Sequence, residues 1–425
     1  MNIKHIQPKY LSVVSLLILI LNIQIVHSPI LGFVCAVLYI FTIGRVFAQT
    51  FFQHDKRLWG VLLFFLYMLI AGAGIYFLWN LSNPVIFGIL ALPVAVTLLF
   101  TRKHSIAPNT TPLKFQPSWR FYFFFVGFLF FFLAALLVLI EHPIIEAVRS
   151  PWLALPHRFW ILLLIALFSF FFLFMASPKN LPQRKRILFH LAPACMLVFL
   201  FTGLALILYP YGFGFDPFVH QATEKAIFDH GVITPKPYYY LGQYALVVML
   251  AKMFQANIVT VDRLLLPLAA SFTLIPTMYY ALKHMIHDAR TRILTSTLLL
   301  AWPLTFFITT TPQALSNLLL LLIIFLCFEQ LSWPPHNLDL QNRTNAYKLL
   351  PFILALASLA IHPLSGIPAV LFVLIFFCFS SQRLLSRIFG ALILFFSSGI
   401  FLMLFGLKKN TTTISLSTLF APPRI

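Results

Sequence analysis

Long apolar segments follow one another along almost the whole chain, and they limit its fold more than any other feature. A helix that crosses a membrane needs about 20 mostly apolar residues, and such segments recur from residue 10 to residue 407. Hydrophobic residues make up 61% of the chain and charged residues only 9%, whereas soluble domains carry about 25% charged residues. The sequence therefore predicts an all-α, polytopic integral membrane protein.

About thirteen membrane-spanning helices are predicted from these segments. The apolar run after Lys4 and Lys9 resembles a signal peptide, but no small-residue cleavage pattern follows it, so we expect it to remain as the first span. The predicted spans are 10–27, 30–50, 59–79, 84–101, 120–141, 158–176, 187–209, 262–283, 292–311, 313–331, 349–362, 364–380 and 387–407.

Lysine and arginine are concentrated in alternate loops between the first seven predicted helices. The net charge of +19 therefore fits the positive-inside rule and contact with anionic membrane lipid, and it does not indicate nucleic-acid binding. This pattern predicts a cytoplasmic N-terminus and an extracytoplasmic position for the loop 210–258. We expect the protein to reside in a prokaryotic plasma membrane.

The segment 241–256 is apolar but short, and Lys252 interrupts it. If it crossed the membrane, the basic cluster from Lys283 to Arg292 would face outward, against the positive-inside rule. We therefore favour a surface or re-entrant helix on the outer side of the membrane. This choice leaves the C-terminal Lys408, Lys409 and Arg424 outside, for which the charge pattern offers no reason.

The loop after the seventh predicted helix holds an unusual share of the charged residues. Asp216, Glu224 and Asp229 are three of only ten acidic residues in the chain, and scarce charge in a membrane protein often marks function. Asp216-Pro217 predicts a helix start, in which the carboxylate caps free N–H groups, and Gly231 predicts the helix end. The loop should therefore carry a surface helix of about four turns.

One stripe of that helix combines Asp216, His220 and Glu224, which recur every four residues. We expect this polar stripe to face a cavity. A divalent cation, Mg²⁺ or Mn²⁺, is geometrically possible on these three residues, although such spacing is common on solvated helix faces. Asp216 could also serve only as the helix cap. The four cysteines are widely separated in apolar segments and predict neither disulfides nor a zinc site.

This loop resembles the first external loop of the GT-C superfamily of membrane glycosyltransferases. In oligosaccharyltransferase catalytic subunits that loop starts with Asp-Pro-Trp and ends with a Glu-His-Gly-like sequence, and here Asp216-Pro217-Phe218 and Asp229-His230-Gly231 fill those places. A Tyr-Tyr-Leu start, Arg263-Leu264 and the turn Thr309–Gln313 resemble the protein-mannosyltransferase and aminoarabinose-transferase branch. Family members often carry an acid after that turn, where this chain has Ser316 and Asn317.

The resemblance covers about residues 187–407 and implies a division of the chain into two parts. Residues 1–186 would form an N-terminal six-helix membrane extension, for which we find no counterpart. Residues 187–425 would form a GT-C-like seven-helix module with the outer loop 210–258.

The resemblance also implies a reaction and its residues. The family moves a sugar from a polyprenyl-phosphate-linked donor to an acceptor on the outer face, here an unidentified protein, lipid or glycan. Asp216 would be the base for the acceptor, and Lys236 or else Arg263 would neutralise the leaving phosphate. The other candidate substrate-binding residues are His220, Glu224, Tyr239 and Gln243.

Two other functions remain open from the sequence. A flippase or polymerase of lipid-linked oligosaccharides is one, although we find no paired polar, broken helices of the kind that transporters use. A non-catalytic membrane scaffold is the other, since the second acidic motif of the family is missing. A cavity beside Asp216, His220 and Glu224 would favour the enzyme.

Overall fold

The regular elements of the described residues are all helices. The computed structural model describes residues 8–52, 57–100, 118–146, 150–178, 181–301, 304–331, 345–380, 384–394 and 397. The α-helices are α1 (Pro8–Leu21), α2 (Pro29–Phe51), α3 (Arg57–Leu78), α4 (Asn83–Phe100), α5 (Trp119–Ile140), α6 (His157–Ala176), α7 (Gln183–Arg186), α8 (Ala192–Thr202), α9 (Leu204–Leu208), α10 (Asp216–His230), α11 (Leu241–Phe254), α12 (Ile258–Ala281), α13 (Ala289–Thr297), α14 (Pro312–Leu331), α15 (Asn345–Ile361), α16 (Pro363–Ser380) and α17 (Leu384–Leu394).

Eight helices in the described part of the chain are long and apolar enough to cross a membrane. They contain or overlap α1, α2, α3, α5, α6, α12, α14 and α16. Many of their large apolar side chains are exposed, including Ile30, Trp119 and Leu364 at 80%, 71% and 80%. Exposed apolar surface on this scale suits contact with lipid chains, so the chain is a helical membrane protein.

The predicted number of thirteen spans exceeds these eight. Four further predicted spans, 84–101, 187–209, 349–362 and 387–407, coincide with apolar helices of only 10–17 residues. Residues 395–396 and 398–407 of the last one lie outside the described residues. The prediction of a helical span at 292–311 is wrong, because α13 ends at Thr297 and short 3₁₀ turns follow it.

Local sequence explains where several helices begin. Ser28 precedes α2 and accepts a hydrogen bond from the N–H of Leu31, with Pro29 at the first helical position. Asn257 caps α12 by accepting from the N–H of Val259 at 2.9 Å. Such caps satisfy N–H groups that have no partner within the helix.

Small residues let two of the helices approach closely. A Cβ atom added at Gly60 of α3 would overlap the carbonyl oxygen of Gly44 on α2, and one added at Gly44 would lie 2.5 Å from Val61. A helix pair that packs through glycines gains contact between backbones, which is common among membrane helices.

The polar residues gather at one end of the bundle, which we call the site end. There α3, α9 and α15 finish, and α4 and α12 begin. The N–H of Leu81 donates to the carbonyl of Gly231 at 2.8 Å, and the N–H of Ile144 donates to that of Leu208 at 2.7 Å. The end at which α7 begins and α12 finishes is called the opposite end.

The helix α11 lies inside the bundle, and the prediction of a surface helix for 241–256 is wrong. Its side chains are buried from Leu241 to Ala251, and it packs mainly against α3 and α10, with α2, α12 and α15 also in contact. All of its faces are apolar or small, so burial on every side is favourable. Both of its ends contact the site end: Tyr240 stacks on His362, and Lys252 bonds Asn83 at 2.6 Å, as a re-entrant segment would.

This packing joins the two predicted parts of the chain. A Cβ atom at Gly72 of α3 would lie 2.9 Å from Ala245 and 2.7 Å from Met249 of α11. The boundary between residues 186 and 187 stays a prediction, but the helices on its two sides share one apolar core.

Candidate functional site

The predicted surface helix exists as α10, which runs from Asp216 to His230 across the site end. Gly231 ends it in the left-handed conformation, with φ of 76°, as the sequence predicts. The prediction that Asp216 caps the helix is wrong. The helix begins at Asp216 itself, the N-cap position is Phe215, and no side-chain cap bond forms. The Asp216 side chain is exposed.

The inward face of α10 is shifted from the predicted stripe. The buried residues are Pro217, Gln221, Glu224 and Ile227, which share one helix face. The three predicted stripe residues therefore have different surroundings: Asp216 is exposed, His220 is half-buried and Glu224 is fully buried. Among the described residues there is no group of three His, Cys, Asp or Glu side chains that could hold a metal ion.

Two carboxylates meet beneath α10 on fully buried side chains. Glu224 of α10, Gln243 of α11 and Asp262 of α12 each have 0% exposure. The amide nitrogen of Gln243 donates to Glu224 Oε1 at 3.2 Å and to Asp262 Oδ1 at 3.3 Å. Gln221 donates to Asp262 Oδ2 at 2.9 Å. Three helices therefore converge on one buried polar network, in which two amides hold two acids.

This network favours the neutral form of Glu224. Burial, and secondarily the negative charge of Asp262, raise the pKa of Glu224 well above its usual value, while the Gln243 amide opposes the rise. Glu224 Oε2 and Gln243 Oε1 are both buried and have no partner among the described residues. A carboxylic acid and a primary amide pair through two hydrogen bonds, so a proton on Glu224 Oε2 supplies the donor that Gln243 Oε1 lacks.

A cleft of about 320 Å³, counting its open mouth, lies next to this network. Asp262 and Gln221 line its polar side together with Arg263 and Thr310, and Phe213 and Phe218 are among its apolar lining. The cleft thus places a carboxylate and a guanidinium beside aromatic rings at the site end.

Arg263 reaches the cleft while it secures the end of α9. Its Nη1 donates to the carbonyl of Pro210 at 2.9 Å, and its Nη2 donates to those of Leu206, at 2.9 Å, and Tyr209. A guanidinium has five N–H donors, so these bonds leave two for a ligand.

Thr310 fixes the cleft from the opposite wall. Its hydroxyl donates to the backbone carbonyl of Asp262 and accepts from the N–H of Leu266 at 3.2 Å. An ideal helix would join those two backbone groups directly, so Thr310 inserts into the first turns of α12. The segment 304–311 therefore orients the part of α12 that carries Asp262 and Arg263.

Lys236 lies away from the cleft. Its ammonium donates to the carbonyls of Tyr76 at 2.9 Å, Phe77 at 3.4 Å and Trp79, at the C-terminal end of α3. All three of its donors are engaged, so Lys236 acts as a cap for α3 here. The predicted alternative, Arg263, is the cation that the fold places in the cleft.

A second group of aromatic and histidine side chains adjoins the network. His220 Nδ1 lies 2.9 Å from the hydroxyl of Tyr244, and its ring lies 5.1 Å from that of Tyr240. Tyr240 stacks on His362 with ring centroids 5.6 Å apart, and its φ of 67° is unusual for a bulky residue. Burial lowers the pKa of both histidines, while Asp216 partly opposes this for His220. Tyr239 is 59% exposed.

Three residues of the site were missed by sequence reasoning, namely Asp262, Gln221 and Thr310. Asp262 carried a usable signal, because it is one of ten acids and stands at the start of an apolar segment, where acids are costly and often functional. Gln221 and Thr310 carried none, since only the packing of α10 and of the segment 304–311 on α12 brings them to the cleft.

Comparisons of this chain with models of known protein families, with curated proteins and with solved structures gave no match. The resemblance to GT-C glycosyltransferases therefore stays a prediction that rests on the residues quoted for it.

Proposed function

We propose that this protein is a membrane glycosyltransferase that transfers a sugar from a polyprenyl-phosphate-linked donor to an acceptor at the site end. The observation that carries the proposal is the cleft under α10, which combines the carboxylate of Asp262 with the guanidinium of Arg263. A sugar presents hydroxyl groups to carboxylates and amides, and a phosphate presents oxygens to arginine.

The geometry supports separate roles for the residues. Asp216 is exposed at the start of α10, next to Pro217 and Phe218 of the cleft, and it is our choice for the base. It takes the proton of the acceptor hydroxyl as that oxygen bonds the sugar carbon and the bond to the donor phosphate breaks. Arg263 stabilises the phosphate that leaves with the polyprenyl chain. Asp262 and Gln221 hold sugar hydroxyls.

The buried network serves this site by holding Asp262 in place. Gln221 and Gln243 fix both oxygens of the Asp262 carboxylate. A neutral Glu224 leaves Asp262 as the single negative charge of the pair. The charge of Asp262 is then matched by Arg263, so an anionic donor meets less repulsion than two ionised carboxylates would cause.

The proposal is tested by sugar transfer with the purified protein in lipid. Mixed radiolabelled polyprenyl-phosphate sugars are offered to the native chain, to Asp216→Asn and to Arg263→Gln. We expect transfer by the native protein and a loss of 10²-fold or more in each variant, of the order that removal of an acid–base group costs. Glu141→Gln is the matched control, because Glu141 is an exposed carboxylate whose ion partner, Arg158, lies outside the cleft.

Each other result has a defined meaning. Equal transfer by Asp216→Asn and the native chain would remove Asp216 as the base, and Asp262→Asn would then be compared in the same assay. No transfer by the native chain over a broad donor set, with fluorescent lipid-linked oligosaccharide still crossing the bilayer, would support the flippase. Neither activity would leave the scaffold.

A further inference from the structure

A second cleft lies at the opposite end of the bundle, between the segment that contains α7 and the end of α12. It encloses about 220 Å³, counting its mouth, and its lining includes Arg186, Ile187, Tyr279 and Tyr280. The sugar-transfer proposal uses none of these residues, and the cleft lies a full bundle length from Asp262.

Arginines with unused donors surround this cleft. The Arg292 side chain is only 9% exposed, and its guanidinium lies 4.6 Å from the ring centroid of Tyr279. The Nε atom of Arg292 and the Nη2 atom of Arg290 are buried and have no hydrogen-bond partner among the described residues. A buried cationic donor without an acceptor is costly, so these two atoms point to an anionic ligand.

The acidic groups nearby do not balance these cations. Asp288 accepts from the N–H and the hydroxyl of Thr291, both at 2.8 Å, and so caps α13. Glu329 is buried and, like Arg292, lies within electrostatic range of Tyr280. Arg186 and Arg290 both act on the buried His190. Three arginines therefore face one buried carboxylate around the cleft.

The cleft also opens toward the lateral, apolar surface. Ile187 is 42% exposed and Arg186 is half-buried, whereas Arg292 and Tyr279 lie deeper. A ligand that enters from the side would meet apolar surface first and then the guanidinium groups. An amphiphile with a charged head and apolar tails matches this order of surfaces.

We propose that this cleft binds the phosphate of an anionic phospholipid. Arginine donors pair with two phosphate oxygens at once, and a planar guanidinium stacked on a ring is already oriented for this. Basic pockets between membrane helices bind lipid head groups in the same way. The acyl chains would lie against Ile187 and its apolar neighbours.

The test measures lipid retention by native mass spectrometry and thermal stability in detergent. The protein is titrated with phosphatidylglycerol, with phosphatidylcholine and with inorganic phosphate. We expect tight retention and stabilisation with phosphatidylglycerol only. Arg292→Gln should weaken phosphatidylglycerol binding about fivefold, the value of one basic residue near an anionic lipid. Arg158→Gln, which removes an exposed arginine at the site end, should bind as the native protein does.

Three outcomes would overturn the proposal. The first is equal binding of phosphatidylglycerol by Arg292→Gln and Arg158→Gln. The second is equal stabilisation by phosphatidylcholine, which would assign the effect to the apolar tails. The third is equal stabilisation by inorganic phosphate, which would make the ligand a free anion. If Arg292→Gln does not fold, competition on the native protein between short-chain phosphatidylglycerol and phosphatidylcholine decides between these outcomes.

Discussion

Gln243 donates its side-chain amide to Glu224 at 3.2 Å, within a helix that is buried on all sides. The same nitrogen also reaches Asp262 at 3.3 Å. One amide therefore ties α10, α11 and α12 together beneath the cleft. Because the pair carries two acids in an apolar interior, its protonation state controls both the stability of the site end and the charge that faces a ligand.

The protonation of Glu224 predicts a specific dependence of stability on pH. Its pKa is raised in the folded protein, so the folded state keeps a proton that the unfolded state releases above about pH 4.3. The free energy of unfolding should be largest below that pH and fall by up to ~1.4 kcal/mol per pH unit as the pH rises toward the raised pKa. Glu224→Gln should match the native protein at low pH and exceed it at pH 8.

Thermal unfolding followed by tryptophan fluorescence across this pH range measures the effect. Glu141→Gln, a change at an exposed acid, should reproduce the native pH profile. Parallel profiles for the native protein and Glu224→Gln would show that Glu224 is ionised in the fold.

Removal of the bridging amide should destabilise the same region. Gln243→Leu leaves Glu224 Oε1 and Asp262 Oδ1 without their shared donor, which costs about 1–3 kcal/mol for each buried acceptor. The midpoint of thermal unfolding should therefore fall. Gln313→Leu is the control, because Gln313 is exposed at the start of α14. An unchanged midpoint for Gln243→Leu would mean that the bridge contributes nothing net.

Lys236→Met should separate a structural role from a role in phosphate binding. The ammonium caps the carbonyl end of α3, so its loss should cost about 1–2 kcal/mol of stability and leave sugar transfer unchanged. Hydrogen exchange of the 233–236 and 76–79 segments would report the local loosening. Loss of transfer at unchanged stability would return Lys236 to the role that the sequence predicted for it.

The close approach of α2 and α3 gives a matched pair of glycine substitutions. Gly60→Ala would overlap the Gly44 carbonyl, and such overpacking costs about 1–3 kcal/mol or more. Gly74→Ala lies in the same helix and meets nothing within 4 Å, so it should be neutral or stabilising by up to about 1 kcal/mol. Thermal unfolding of both variants in one detergent checks this, and equal midpoints would contradict the observed packing.

The amino-acid sequence by itself determined the class of the fold and the elements of the candidate site. Apolar length and scarce charge predict membrane helices, and the structure confirms a helical membrane protein with eight helices long enough to span. Asp216-Pro217 and Gly231 predict α10 correctly in its extent. These features are local, since they depend on hydrophobicity, caps and helix stops within a few residues.

The tertiary structure alone decided which of these residues meet. The composition of α11 does not distinguish a helix on the membrane surface from one at the centre of a bundle, because an apolar helix suits both. Its burial brings Gln243 between Glu224 and Asp262, residues 19 positions away on either side. Lys236 caps α3 across 160 residues of sequence, and Arg263 instead reaches the cleft. Such partners follow from the packing of whole helices, which no local pattern in the chain encodes.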